Sequence, residues 1–303
     1  MAEGMRNPPD SRARIAALPI WKGTIEIEPL LGGISNESWL VADGRGRHVV
    51  RFGKDYPFHH VFRDREVMTA RAAVEAGFAP ELEYTAPGMM VSRYLGAKTY
   101  DGNDVRANIV SVARLIRAFH NEMPRQVSGP GFMFWPFHVI RDYARTLREG
   151  GSRMEPHLPA YLDLADELET AQIPLPIVFG HNDLLPANLL DDGERLWLID
   201  FEYAGFSTAM FDLAGLSSNA GFSAEESETL LACYFGRSPD LPTRRALAAM
   251  QCTSLLREAM WSMVSEIHLD APGTDYEAYT QDNLARLETA LDTYFTEYGR
   301  HNR

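Results

Sequence analysis

Four polar residues in the middle of the chain have the types and the spacing to do chemistry. In the stretch IVFGHNDLLPANLLDDGERLWLIDFEYAG, residues 177–205, His181, Asp183 and Asn188 form the pattern H-x-D-x-x-x-x-N, and Asp200 follows. A carboxylate such as Asp183 can accept or orient the proton of an attacking hydroxyl. Asn188 and Asp200 are hard oxygen ligands of the kind that hold Mg²⁺ against phosphate oxygens. Phosphoryl transfer asks a protein mainly for such positioning and charge neutralisation.

These side chains need elements to hold them. The apolar run 177–179 predicts a buried strand. Asp192-Gly193 is a two-residue hairpin signal, and 196–199 is the return strand that delivers Asp200. The hairpin would bring Asn188 and Asp200 together. Any one of the four alone is equally consistent with a turn cap or a strand end. All four in order, across strand, loop, hairpin and strand, point to chemistry.

The spacing from Asp183 to Asn188 matches the protein-kinase catalytic loop, H-R-D-L-x-x-x-N followed by D-F-G. Here Asp200-Phe201 is followed by Glu202 in place of glycine. HND, PANLL and IDFEYAG, with Phe211-Asp212-Leu213, resemble the choline/ethanolamine kinase family. Aminoglycoside phosphotransferases, its relatives, more often read HGD at the loop. The resemblance implies an α+β, bilobal protein-kinase-like fold with a small antiparallel-sheet N-lobe and a mainly helical C-lobe. It divides the chain into a nucleotide-binding lobe at 1–96 and a catalytic and substrate-binding lobe at 97–303. ATP and Mg²⁺ are the implied cofactors, with Asp183 and His181 in the catalytic loop. The implied reaction moves the γ-phosphoryl group to the hydroxyl of a small cationic amino alcohol, choline foremost. Ethanolamine, thiamine, an amino sugar or an aminoglycoside stays open, because a fold does not fix its substrate. A nucleotide-binding pseudokinase is the reading from another class; the intact Asp183, Asn188 and Asp200 argue against it.

Alternation of Ile25 and Ile27 with Glu26 and Glu28 predicts a half-buried strand over 24–30, with a second at 38–42. Between them, Gly32, Gly33, Ser35 and Asn36 form a turn that can offer backbone N–H groups to phosphate. Gly-Gly turns also occur where no phosphate binds, but GGISNESWLV resembles the nucleotide loop of choline kinases. Arg51 ends the apolar run of a third strand, 48–52, where protein kinases place a lysine. Its guanidinium is a planar fork for phosphate oxygens; the alternative is a surface strand arginine. A helix over 63–76 lines up Glu66, Ala70, Ala73 and Gly77, so Glu66 can approach the sheet and pair with Arg51. Arg65 and Glu75 read as solvated charges. Strands at 81–85 and 89–92 follow. The resemblance then makes Arg93, Tyr94 and Leu95 the hinge whose backbone holds the adenine edge.

From Gly96 the pattern is helical, with helices over 105–121, 137–149, 158–171, 224–235, 243–268 and 275–298. His120 reads as a structural histidine near a helix end. The resemblance assigns Asp212 to anchoring the catalytic-loop backbone, and Tyr203 and Trp261 to the substrate site. Both rings could equally be core. Where the family commonly has an acid after the FD pair this chain has Asn219. Where the family often has a first tryptophan it has Glu258. Either the carboxylate has moved between elements and the site still takes a quaternary ammonium, or Glu258 pairs with Arg257 and the substrate is not quaternary.

Composition sets outer limits. The 303 residues, 45% hydrophobic, suffice for a large core, and no apolar run approaches the roughly 20 residues that span a bilayer. The first residues lack the apolar core of a secretory signal. Cys233 and Cys252 show neither metal-ligand spacing nor a disulfide framework, which suits a reducing, ATP-containing cytoplasm. A net charge of −13 disfavours nucleic acid or an anionic membrane as partner. Residues 1–96 carry 12 basic and 12 acidic side chains, and the rest carry 17 and 30. The acidic C-terminal part suits a cationic substrate, or is simply a soluble surface.

Overall fold

The computed structural model describes residues 11–30, 36–269 and 273–300. Gly32, Gly33 and Ser35 of the glycine-rich turn lie outside the described residues.

Helix α1 (Ser11–Ala16) precedes a five-stranded antiparallel sheet of β1 (Glu26–Leu30), β2 (Glu37–Asp43), β3 (Gly46–Phe52), β4 (Leu82–Ala86) and β5 (Met89–Arg93). The spatial order is β1-β2-β3-β5-β4. Alternation decides the two faces. Val41, Val50, Phe52, Met89 and Val91 bury one face against Ile15 of α1. Arg51, between Val50 and Phe52, therefore points to the opposite face, where α2 (Arg63–Glu75) packs. Glu66, Ala70 and Ala73 on the buried side of α2 let it approach closely.

The rest of the chain is mostly helical: β6 (Lys98–Thr99), α3 (Gly102–Ala107), α4 (Ile109–Gln126), α5 (Pro136–Glu149) and α6 (Leu158–Thr170) come first. Next are β7 (Ile177–Gly180), β8 (Leu189–Asp191), β9 (Leu196–Leu198) and β10 (Gly205–Thr208). The chain closes with α7 (Ala209–Ala220), α8 (Ala224–Phe235), α9 (Leu241–His268) and α10 (Tyr276–Tyr298). Helix α9 runs through the middle of this lobe against α5, α7 and α10, and most of its side chains are buried.

Two expectations are corrected, the single helix over 105–121 and the two-residue hairpin, while the strand foreseen at 177–179 is present and buried beyond its first residue. The helix foreseen over 105–121 is two helices. Asp101 starts α3 with a capping box to Asp104, and Asn108, at φ −124° and ψ 27°, breaks the helical path before α4. The catalytic hairpin is not a two-residue turn: Asp192 Oδ1 accepts the N–H groups of Glu194 and Arg195, both at 2.9 Å, and makes a longer connection. Strand β7 pairs with β10, with Gly205 opposite Gly180, and its first residue, Ile177, is 55% exposed. Cys252 is buried, Cys233 is half-buried, and both are free thiols. Among the described residues no helix is long and apolar enough to cross a membrane.

Candidate active site

The catalytic loop is built at the end of β7. A Cβ on Gly180 would lie 2.7 Å from Asn182 Oδ1 and 3.2 Å from Asp212 Oδ2, so only glycine allows this close turn. Asp212, in the first turn of α7, accepts the backbone N–H of His181 and of Asn182, each at 2.7 Å. Its Oδ2 also accepts from His120 Nε2 at 2.8 Å. Burial works against the Asp212 carboxylate, but the His120 bond and charge hold its pKa below the usual value. Asn182 sits at φ 62° and donates to the carbonyl of Tyr203 at 3.1 Å. Together these bonds aim Asp183 into a cavity.

His181 does not face that cavity. It is buried, its Nε2 donates to the Ile199 carbonyl at 2.9 Å, and its ring lies beside Phe119 and Phe201. Burial pushes its imidazole pKa down. The catalytic expectation for His181 is replaced by a supporting one, tying the loop to the strand that carries Asp200.

Asn188 Nδ2 donates to the Asp183 carbonyl at 2.8 Å, which leaves the amide oxygen as a ligand. Asp200 adopts φ 70°, and its Oδ1 accepts from Arg51 Nη1 at 2.7 Å. Burial would raise the Asp200 carboxyl, but the nearby positive charges, Arg51 foremost, hold its pKa below the usual value. Among the described residues no cluster of three or more His, Cys, Asp or Glu could hold a metal ion by itself. One carboxylate and one amide suit Mg²⁺, which is commonly shared between a protein and substrate phosphates and keeps several waters.

A chain of charges runs from Asp200 into the small lobe. Arg51 contacts Glu66 through Nη2. Arg63 Nη1 donates to Glu66 Oε2 at 2.6 Å and to Glu202 Oε2 at 3.1 Å. Asn36 Nδ2 reaches the same Glu202 oxygen at 3.2 Å. Arg65 is not a solvated charge: it donates to the Glu202 carbonyl at 3.1 Å and its guanidinium lies 3.7 Å from the Phe132 centroid. Burial brings its pKa down to about 10. At the hinge, the Arg93 and Tyr94 N–H groups donate to the carbonyls of Glu81 and Arg47, at 2.8 and 3.0 Å. Among the described residues the Leu95 N–H, next along the chain, has no such backbone partner.

The cavity beyond Asp183 has a volume of about 210 Å³, and Tyr203, Asn219, Arg257, Glu258 and Trp261 contribute to its walls. Asn219 is exposed at the rim. Trp261 Nε1 donates to the Tyr203 hydroxyl at 3.0 Å, and His59 stacks on the indole at 5.1 Å between centroids. Glu258 accepts from Arg257 Nη1 and from the Tyr279 hydroxyl, each at 2.8 Å. Arg257, only 3% exposed, sets its guanidinium carbon 4.6 Å from the Tyr203 centroid. One face of Tyr203, the ring foreseen for a substrate cation, is therefore covered by a cation of the protein itself.

The profile of the phosphotransferase enzyme family APH matches residues 26–248. The chain belongs to this family. A probable ethanolamine kinase of Arabidopsis thaliana is 26% identical over 237 residues, 67% of this chain and 61% of that protein. The match thus spans less than two thirds of that relative's length. The solved structure of a choline/ethanolamine kinase family protein from Mesorhizobium loti superposes with a TM-score of 0.74 at 28% identity, covering 93% of this chain and 94% of the other. Choline kinase LicA from Streptococcus pneumoniae shares the fold, with a TM-score of 0.76 at 22% identity over 94% and 98% of the two chains.

In this member of the family the sequence reading missed Arg63, Glu202, Tyr279 and the place of Arg257. The signal for Arg257 was available: it lies one turn before Trp261, amid the Leu, Ala and Met of α9. A charge on that stripe must be paired or stacked if it is buried.

Proposed function

We propose that this phosphotransferase moves the γ-phosphoryl group of Mg·ATP to the hydroxyl of a small amino alcohol. The observation that carries the reading is that Asp183 opens into a cavity of about 210 Å³ with the Glu258 carboxylate and aromatic rings in its walls. Drug-sized ligands occupy roughly 300–1,000 Å³, so this space supports an acceptor smaller than a multi-ring aminoglycoside. Choline, put foremost by the sequence, and ethanolamine are both of the right size.

In this reading the acceptor oxygen attacks the γ-phosphorus as its bond to the β–γ bridging oxygen breaks. ADP leaves, and the hydroxyl proton passes to the Asp183 carboxylate. Arg51, held by Glu66 and Asp200, neutralises phosphate charge, and the Leu95 N–H meets the adenine edge. Asn188 and Asp200 would hold Mg²⁺, which when bound neutralises the phosphate oxygens.

The test is ADP release with Mg·ATP and a panel of ethanolamine, choline, thiamine, glucosamine and an aminoglycoside, with Asp183→Ala as background. Turnover of the small amines supports the reading. Turnover of the aminoglycoside alone would replace it, and nucleotide binding without any phosphorylated acceptor would leave a pseudokinase.

A further inference from the structure

We propose that Arg257 makes the acceptor site select an ammonium that carries N–H donors and turn away a quaternary one. This inference rests on the amino-alcohol reading above and adds the residue that sets its specificity.

The two kinds of cation need different surroundings. A quaternary ammonium has no N–H, so it is held by aromatic faces and by net negative charge. A primary ammonium has three donors and needs oxygen acceptors. In this cavity the aromatic faces are largely in use. One face of Tyr203 holds the Arg257 guanidinium at 4.6 Å. One face of Trp261 holds His59, stacked at 5.1 Å with 24° between the planes. The Tyr276 and Tyr279 rings meet Trp261 edge-on, at 6.2 and 6.1 Å. A second cation at Tyr203 would meet the fixed charge of Arg257 in a buried space, where like charges repel most.

The oxygen acceptors, by contrast, are only half engaged. Glu258 takes one donor on each oxygen, Arg257 Nη1 and the Tyr279 hydroxyl, at 2.8 Å each. A carboxylate oxygen has two lone pairs, so each can take another N–H. Arg257 also neutralises Glu258, which weakens the pull on a permanent cation but leaves those lone pairs in place. A substrate ammonium gains here by hydrogen bonding, and each methyl group on nitrogen removes one donor, the last two methyls emptying the two free acceptor positions.

The experiment measures kcat/KM of the intact enzyme, at saturating Mg·ATP, for ethanolamine, its N-methyl and N,N-dimethyl derivatives, and choline. We expect kcat/KM to fall most over the last two methyls, choline ending about tenfold or more below ethanolamine. In Arg257→Met, which frees that face of Tyr203, the choline-to-ethanolamine ratio should rise roughly tenfold. In Arg257→Lys the ratio should stay close to that of the wild type. A ratio is the readout because general damage to the fold lowers both substrates alike. Choline equal to or better than ethanolamine in the wild type would overturn the inference and leave the proposed function standing. So would an unmoved ratio in Arg257→Met or, should that variant fail to fold, in Arg257→Gln, which also removes the cation from Tyr203. Turnover of none of the four alcohols would overturn the proposed function and this inference with it.

Discussion

Asp212 shows how much one side chain can fix. Three N–H groups, two from the loop backbone and one from His120, converge on its carboxylate at 2.7, 2.7 and 2.8 Å. Replacing it by Ala strands these donors in a buried site, at about 1–3 kcal/mol for each. Asp212→Ala should therefore melt several degrees lower, at roughly 2 °C per kcal/mol for a chain of this size, and lose turnover as Asp183 drifts. The pH dependence has a definite sign. The Asp212 pKa is depressed in the folded state, so its stabilisation is complete above the ordinary value of 3.8 and is lost as pH falls through the lower folded value. Melting curves of wild type and Asp212→Asn should differ at pH 7 and converge only once the pH has fallen below the depressed folded-state pKa of Asp212. A gap of constant size would mean that the charge is not what holds the loop. For Asp183 the expectation concerns chemistry alone: Asp183→Ala should cut kcat by roughly 10²–10⁴-fold with ATP binding and melting temperature kept. Near-normal turnover would remove it from the mechanism.

At the scale of elements, β3, α2 and the loop after β9 meet through Arg51, Glu66 and Asp200. Glu66 touches Arg51, and Arg51 in turn holds Asp200 at 2.7 Å. Arg51→Ala and Glu66→Ala should each impair use of ATP, and the double variant should be clearly less than additive in a double-mutant cycle. Full additivity would separate the two residues, whatever each contributes alone. The elements were largely legible because their periods are strong. Helix α8 fills 224–235 as read, opened by the Ser223–Glu226 capping box, and the small alternation in β3 was enough to aim Arg51 at α2. What could not be read was the environment of a charge. Arg65 has a neighbour pattern that suits solvent, yet Phe132, far away in sequence, closes over it. Arg257 is the same case on α9. Periodicity tells which side of an element is apolar, but not which ring a distant segment will lay against a guanidinium. His181 marks a related limit: its spacing predicted the loop, while its direction was set by the Ile199 carbonyl.

For the molecule as a whole, charge is divided unevenly. Residues 1–96 balance 12 basic with 12 acidic groups, while the remainder carries 17 against 30. If that excess serves the reaction, it draws the cationic acceptor toward the cavity over distances longer than a hydrogen bond. If it serves only solubility, it leaves the approach of acceptor unchanged. Salt separates the two, since the Debye length falls from about 30 Å at 0.01 M to about 8 Å at 0.15 M. The comparison is between a charged acceptor, ethanolamine, and an uncharged alcohol of similar size, ethylene glycol, both at saturating Mg·ATP. Steering predicts that kcat/KM for ethanolamine falls several-fold over that range, while the weaker rate with ethylene glycol stays flat. Because the nucleotide is saturating, screening of its own charge does not enter the ratio. Equal salt dependence for the two alcohols would assign the acidic surface to solubility, and leave recognition of the cation to the side chains in the cavity wall alone.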